Sequence, residues 1–358
     1  MIQGLNTEQK QRINLTLYAQ EILRNDREQF APQLTGSGFI NELLFRFAPQ
    51  ADASVTEAVE RQRLSILARL EKQKLQPEML ETISEALLEP YRRELIRKAS
   101  GYARGTSLLF RLNNQNRDLF YGRHWPDAVF YDNKPSKYMK ALIEEYASHT
   151  LYRRESFYFQ DWITLAEAAA SAGNLLRITT VNVRGEKVAW DLRVYGILPN
   201  DAGLFHYIVG RSVRKGGRKS EERIASFRIS RITEMRILSS SSARSGALSK
   251  AEKKELEEKI ARDHVQFLVS EREECVVRLT QNGKRMYNQI QYMKPLLSFV
   301  DENGDYHFEC SAFQCFNYFY AFGEHAQILS PSTLRDRLTE SYKNAYEAYL
   351  KPCQLPGD

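Results

Sequence analysis

Leu204–Arg211 reads LFHYIVGR, a β-branched and aromatic run of the kind that fits a pleated, half-buried surface. It is preceded by Pro199-Asn200 and the turn residues Asp201-Ala202-Gly203. Working outward, Lys187–Leu198 and Leu175–Asn182 (LLRITTVN) carry the same signature towards the N-terminus. Glu222–Leu238 (ERIASFRISRITEMRIL) holds a fourth strand and a fifth towards the C-terminus. Short strands joined by tight turns predict a small, strongly bent antiparallel barrel over 151–240.

The same block carries most of the charge information. The chain has 358 residues and a formal net charge of +6. Between Gly210 and Arg236 stand nine Lys or Arg (positions 211, 214, 215, 218, 219, 223, 228, 231 and 236) against three acids (221, 222 and 234). That local surplus equals the surplus of the whole chain, so the remainder is balanced. A basic hairpin beside His206 and Tyr207 suits a polyanion, because arginine grips phosphate and both arginine and tyrosine stack on bases. Arg228 and Arg231 lie three apart in a strand pattern, which sends them to opposite faces. Arg228 is then expected on the polar face and Arg231 on the apolar one, where it needs a partner. Arg214 to Lys219 also reads as a solvated loop tip.

Three stretches here resemble the WYL domain, an SH3- or Sm-like barrel of prokaryotic regulators. They are Tyr195-Gly196-Ile197-Leu198-Pro199, His206-Tyr207-Ile208-Val209-Gly210 and Phe227-Arg228-Ile229-Ser230-Arg231-Ile232. His206 and Ile208 stand where the family has Trp and Leu, and Ser230 replaces an acid, so the family's ligand does not transfer. The candidate nucleic-acid or ligand-binding residues are Arg193, Tyr195, His206, Tyr207, Arg211, Arg214, Arg223, Arg228 and Arg231.

At the N-terminus, Arg12-Ile13-Asn14-Leu15-Thr16-Leu17 alternates polar and apolar, as a half-buried strand does. Two helical patterns follow, Ala19 to Phe30 and one after Thr35-Gly36-Ser37-Gly38, with Ser37 as N-cap and Pro32 and Pro49 bracketing the second. No second strand is read in the next fifty residues. A lone strand needs a partner, and pairing with the same strand of a second chain supplies one. Strand, helix, helix, dimerised through the strand, resembles the ribbon–helix–helix family. In that family the ribbon reads base edges in the major groove. The positions here are Arg12, Asn14 and Thr16, on a face that equally can simply meet water.

Residues 51–150 read as mainly helical, with a capping box at Ser54-Val55-Thr56-Glu57 and an interruption at Pro90. The aromatic, basic stretch 101–136 reads as a loop over a core. After the Ser-rich hinge 239–250 comes a charged helix, Ala251–Arg262. Residues 262–350 show the order β-α-β-β-α-β of a ferredoxin-like domain. Ala321-Phe322-Gly323 through Thr333-Leu334-Arg335 resembles the extension that often follows a WYL barrel.

The fold class is therefore α+β multidomain, cut as 1–50, 51–150, 151–240 and 262–350. Forty-two per cent hydrophobic and 27% charged residues describe a folded chain. No long apolar run or signal-like start is present, and a cytoplasmic protein is expected. Cys275, Cys310, Cys315 and Cys353 have no metal-site spacing and read as reduced thiols. No nucleotide-loop, metalloprotease or hydrolase motif occurs, so neither enzyme, metal nor cofactor is expected. The three resemblances together look like the WYL accessory proteins of type VI-D CRISPR systems. That likeness implies a homodimer binding single-stranded RNA and modulating an RNA-guided ribonuclease, with duplex DNA a further ligand for the ribbon. The alternative is a ligand-sensing ribbon–helix–helix DNA-binding transcriptional regulator.

Overall fold

The structure is a computed structural model and describes residues 10–70, 76–100, 105–122, 131–181, 185–200, 202–215, 222–238, 246–269 and 271–350. The tip of the basic hairpin (216–221), most of the hinge (239–245), Asp201, Cys353 and parts of the 101–136 stretch lie outside those residues. The chain divides into two units, 1–163 and 164–358.

The first unit begins with β1 (Lys10–Leu15), followed by α1 (Leu17–Phe30), α2 (Gly36–Leu70), α3 (Pro77–Ser100), β2 (Thr106–Arg111), α4 (Asn114–Arg117), α5 (Pro135–Ser148) and α6 (Leu151–Tyr158). β1 buries Ile13 and Leu15, as its alternation predicts. Its ladder partner is β2 of the same chain, from Lys10 opposite Arg111 to Leu15 opposite Thr106. This corrects the argument for pairing with a second chain: the partner strand lies in the stretch read as a loop. α2 runs on through Pro49 and past Ser54, so neither marks a helix end. Phe47, Ala48 and Ala51 are buried on both sides of the proline, and this packing outweighs the one lost backbone bond. Thr35 rather than Ser37 caps the start, accepting from Gly38 N–H at 3.1 Å. α3 likewise continues through Pro90.

A buried ion pair holds this unit together. Asp26 is 0% exposed and takes two bonds from Arg154, Nε at 2.7 Å and Nη2 at 3.2 Å. The Tyr146 hydroxyl donates to the same carboxylate at 2.8 Å. Burial, then the Asp26 charge, pushes the Tyr146 phenol well above its ordinary value.

The second unit takes in most of α7 (Gln160–Ala172), then β3 (Leu175–Val181), β4 (Lys187–Pro199), β5 (His206–Arg214), β6 (Arg223–Arg228) and β7 (Ile232–Ile237). These strands form one antiparallel sheet in the order β6-β5-β4-β3-β7. A short 3-10 turn, Ile229–Arg231, carries the chain from one edge strand to the other. No ladder joins β6 to β7 among the described residues, so the sheet is open where a closed barrel was expected. α8 (Lys250–Asp263) packs Leu256 onto Val209 and Ile224 of the sheet.

The rest of the unit comprises β8 (Glu273–Leu279), α9 (Gln281–Gln289), β9 (Leu297–Val300), β10 (Tyr306–Cys310), α10 (Ala312–Tyr320), β11 (Ala326–Ser330) and α11 (Ser332–Leu350). The element order matches the sequence reading, and the strands lie β11-β8-β10-β9, all neighbours antiparallel. Phe308, Phe319, Phe322 and Tyr318 fill its core. None of the described helices is long and apolar enough to cross a membrane.

Candidate nucleic-acid interface

β5 and β6 pair with Tyr207 opposite Arg228, Val209 opposite Ser226 and Arg211 opposite Ile224. Directly opposed residues share a sheet face. This face therefore carries Tyr207, Arg228 and Arg211, together with the apolar patch that receives α8.

α8 takes part of the basic patch out of play. Arg193 is 7% exposed and binds Glu252 at 2.7 and 2.9 Å and Glu222 at 3.0 Å. Arg211 binds Glu255 at 2.8 Å and has Glu222 at 3.5 Å. The Tyr195 hydroxyl donates to Glu257 at 3.1 Å. Arg193, Tyr195 and Arg211, expected at the polyanion site, are thus engaged by three carboxylates of α8 and by Glu222. By sequence α8 reads as a charged helix with i,i+4 pairs. The signal it held was the spacing of Glu252, Glu255 and Glu257, which places acids on nearby turns of one helix. The Arg193 bonds hold the Glu252 carboxyl down at about 2, below its ordinary 4.5.

Beyond α8 the face opens into a cleft of about 360 Å³. Tyr207, Arg228 and Arg231 line it, with Phe205, Phe227, Tyr292 and Phe313 supplying rings and Ser226, Thr180, Asn200 and Gln266 polar groups. Its described lining contains no Asp or Glu. The Arg228 guanidinium carbon lies 3.5 Å from the centroid of the Phe205 ring. Asn200 positions that ring, its Oδ1 accepting from the N–H groups of Leu204 at 2.8 Å and Phe205 at 3.0 Å. The buried Ser226 Oγ has no hydrogen-bond partner among the described residues.

Arg228 and Arg231 line this one cleft, contrary to the opposite faces that strand geometry predicts. The 3-10 turn Ile229–Arg231 breaks the two-residue period between them. Ile229 points inward at 0% exposed, and Arg231 is exposed rather than set on an apolar face. His206 is 5% exposed and does not line the cleft: one residue before Tyr207, it turns to the other face. Arg214 and Arg223 also lie elsewhere, in a neighbouring groove.

In the first unit, Arg12 and Asn14 are exposed on β1, and Arg12 Nε donates to Ser107 Oγ at 2.8 Å. Thr16 falls past the strand and caps α1. Its Oγ1 accepts from Ala19 N–H at 3.1 Å and donates to Glu144 at 2.8 Å, so it does not belong to a reading face.

The three described cysteines come together in the C-terminal core, although their spacing gave no sign of it. Cys275, Cys310 and Cys315 have sulfurs within 4.8 Å of one another, all buried. Adjacent strands β8 and β10 and the first turn of α10 make this cluster, which only the fold assembles. Three thiols offer a soft metal three ligands, one short of a structural zinc site.

No protein-family model matches this chain, and no curated protein matches it. Among solved structures, it is similar to one described as "Crystal structure of a CRISPR Cas-related protein". The TM-score is 0.74 at 21% identity, over 98% of this chain and 96% of that one. At this identity the likeness is one of fold. The proteasome accessory factor B/C of Arthrobacter aurescens aligns over 54% of this chain and 28% of its own, at 18% identity and a TM-score of 0.22, too low for a shared fold.

Proposed function

We propose that this chain is a non-catalytic accessory or regulatory protein of a CRISPR system that binds single-stranded RNA in the cleft at Tyr207, Arg228 and Arg231. One observation carries the reading: two arginines, a tyrosine and several rings converge on a cleft whose described lining has no carboxylate. Guanidinium groups meet phosphates while the rings accept any base face, the combination that holds single strands with little sequence preference. The described fold neighbour, itself CRISPR Cas-related, supports the setting. In this reading the sheet is an SH3-like WYL fold, and the domain after α8 is its ferredoxin-like extension. The protein works as a homodimer and modulates an RNA-guided ribonuclease.

The test is anisotropy titration of labelled single-stranded RNA against duplex DNA. The protein should prefer RNA, lose it with Arg228→Ala plus Arg231→Ala, and keep it with Arg12→Ala plus Asn14→Ala. Duplex-only binding, lost with the Arg12 and Asn14 changes, overturns the proposal in favour of a DNA-binding regulator. Deleting 1–50 is not a usable variant, because β1 and α2 are built into the first unit's core.

A further inference from the structure

Beside the first cleft lies a second, wider groove of about 1070 Å³. Arg214, Arg223, Lys259, Arg262 and Arg272 line it, with Glu271 the one carboxylate among its described lining. Arg262 and Arg272 are held by Asp263, at 2.9 and 3.4 Å. Arg223 and Lys259 have no ion-pair partner among the described residues, and Arg214 sits 6.0 Å from the Trp190 ring centroid. Trp190 in turn lies 5.8 Å from Phe227.

Two residues, Phe227 and the 61%-exposed Val269, line both clefts. The two depressions are therefore neighbours with a low apolar divide. Each combines cations with rings, and a strand leaving the first across Phe227 meets the second's charges next. A compact anionic effector has no use for both. A polymer with a repeating phosphate does.

Resting on the reading above, we propose that the second groove is the continuation of the single-stranded RNA path, with Arg223 and Lys259 taking backbone phosphates and Trp190 offering a base platform. Occupancy of the first cleft alone then needs only a short oligonucleotide, and the second adds affinity only to longer ones.

The experiment titrates a tetranucleotide and an oligonucleotide of about 16 nucleotides, bracketing the usual span of single-strand sites. The proteins are wild type, Arg223→Glu plus Lys259→Glu, and Arg228→Ala. Melting temperatures are taken for each, and Arg223→Gln plus Lys259→Gln replaces the charge reversal if the latter fails to fold. The groove variant should weaken the longer RNA about tenfold or more and leave the tetranucleotide within twofold. Its log affinity against log salt should flatten by about 1.4 for two lost phosphates, at about 0.7 each for single strands. Unchanged affinity for the longer RNA, or equal loss for both lengths, overturns the second-groove assignment. Failure of Arg228→Ala to weaken the tetranucleotide instead overturns the first cleft, a separate result.

Discussion

Arg228 stacks on Phe205, its guanidinium carbon 3.5 Å from the ring centroid, while across the ladder it faces Tyr207. The ring contact fixes the guanidinium in the cleft that Tyr207 and Arg231 also line. Arg228→Ala should lower RNA affinity about tenfold or more, given about 1.5 to 3 kcal/mol for a hydrogen bond to a charged group. Arg228→Lys should recover only part of it, because an ammonium neither stacks in the plane nor forks onto phosphate. Anisotropy titration of both variants at one salt concentration checks this. Full recovery by lysine would mean that charge alone matters.

Arg193 and Arg211 should behave differently from Arg228 although the sequence offers all three as candidate binding residues. Arg193→Ala leaves Glu222 and Glu252 with only the more distant Arg211, at 3.5 and 4.0 Å, to offset their charges and should cost about 3 kcal/mol of stability. Denaturant titration measures this. Arg211, whose Glu255 partner is largely exposed, should cost about 1 kcal/mol or less. A loss of RNA affinity without loss of stability in Arg193→Ala would contradict the structural role.

The Glu252 carboxyl gives a pH window. Its folded value is depressed to about 2 from 4.5 by the Arg193 bonds, so the stabilisation it brings is fully present above about 4.5. It fades as pH falls towards about 2. Thermal melts between these limits should show wild type losing more stability on acidification than Glu252→Gln. Parallel curves would remove Glu252 from the account.

Gly210 is required by close approach rather than by turn geometry. A Cβ there would lie 2.1 Å from the carbonyl oxygen of Arg193, next to the β4 bulge at Val194–Gly196. Gly210→Ala must push the two strands apart and should destabilise the chain by about 2 to 4 kcal/mol. Equilibrium unfolding reads this directly, and a change under about 0.5 kcal/mol would show that the sheet yields easily.

In the first unit, Asp26→Ala should cost about 3 to 5 kcal/mol, since it strands Arg154 in a buried site and removes the acceptor of the Tyr146 hydroxyl. Asp26→Asn, which keeps a single acceptor oxygen, should cost less. Urea midpoints order the two variants.

What could be read from residues alone followed the range of the contacts. β3 (Leu175–Val181) matches the sequence reading to within a residue, because local apolar patterning defines it. β2 was not legible: in TSLLFR only Phe110 is buried, and the strand exists through a ladder to β1 far earlier in the chain. In the cleft, Tyr207 and Arg228 were legible from composition. The face of Arg231 was not legible, because the two-residue strand period does not carry through a 3-10 turn. The ion pairing of Arg193 and Arg211 was not legible, because their helix partners come from α8, more than forty residues away in each case.

That three-residue turn also sets what sequence change the cleft tolerates. A 3-10 segment advances about 120° per residue. Exchanging Ser230 for another small polar residue leaves Arg231 aimed as before. Adding or removing one residue re-aims Arg231 by a third of a circle and breaks its pairing with Arg228 in the cleft. Divergence among relatives of this chain should therefore appear at 229–231 as substitution, with the number of residues between β6 and β7 held constant.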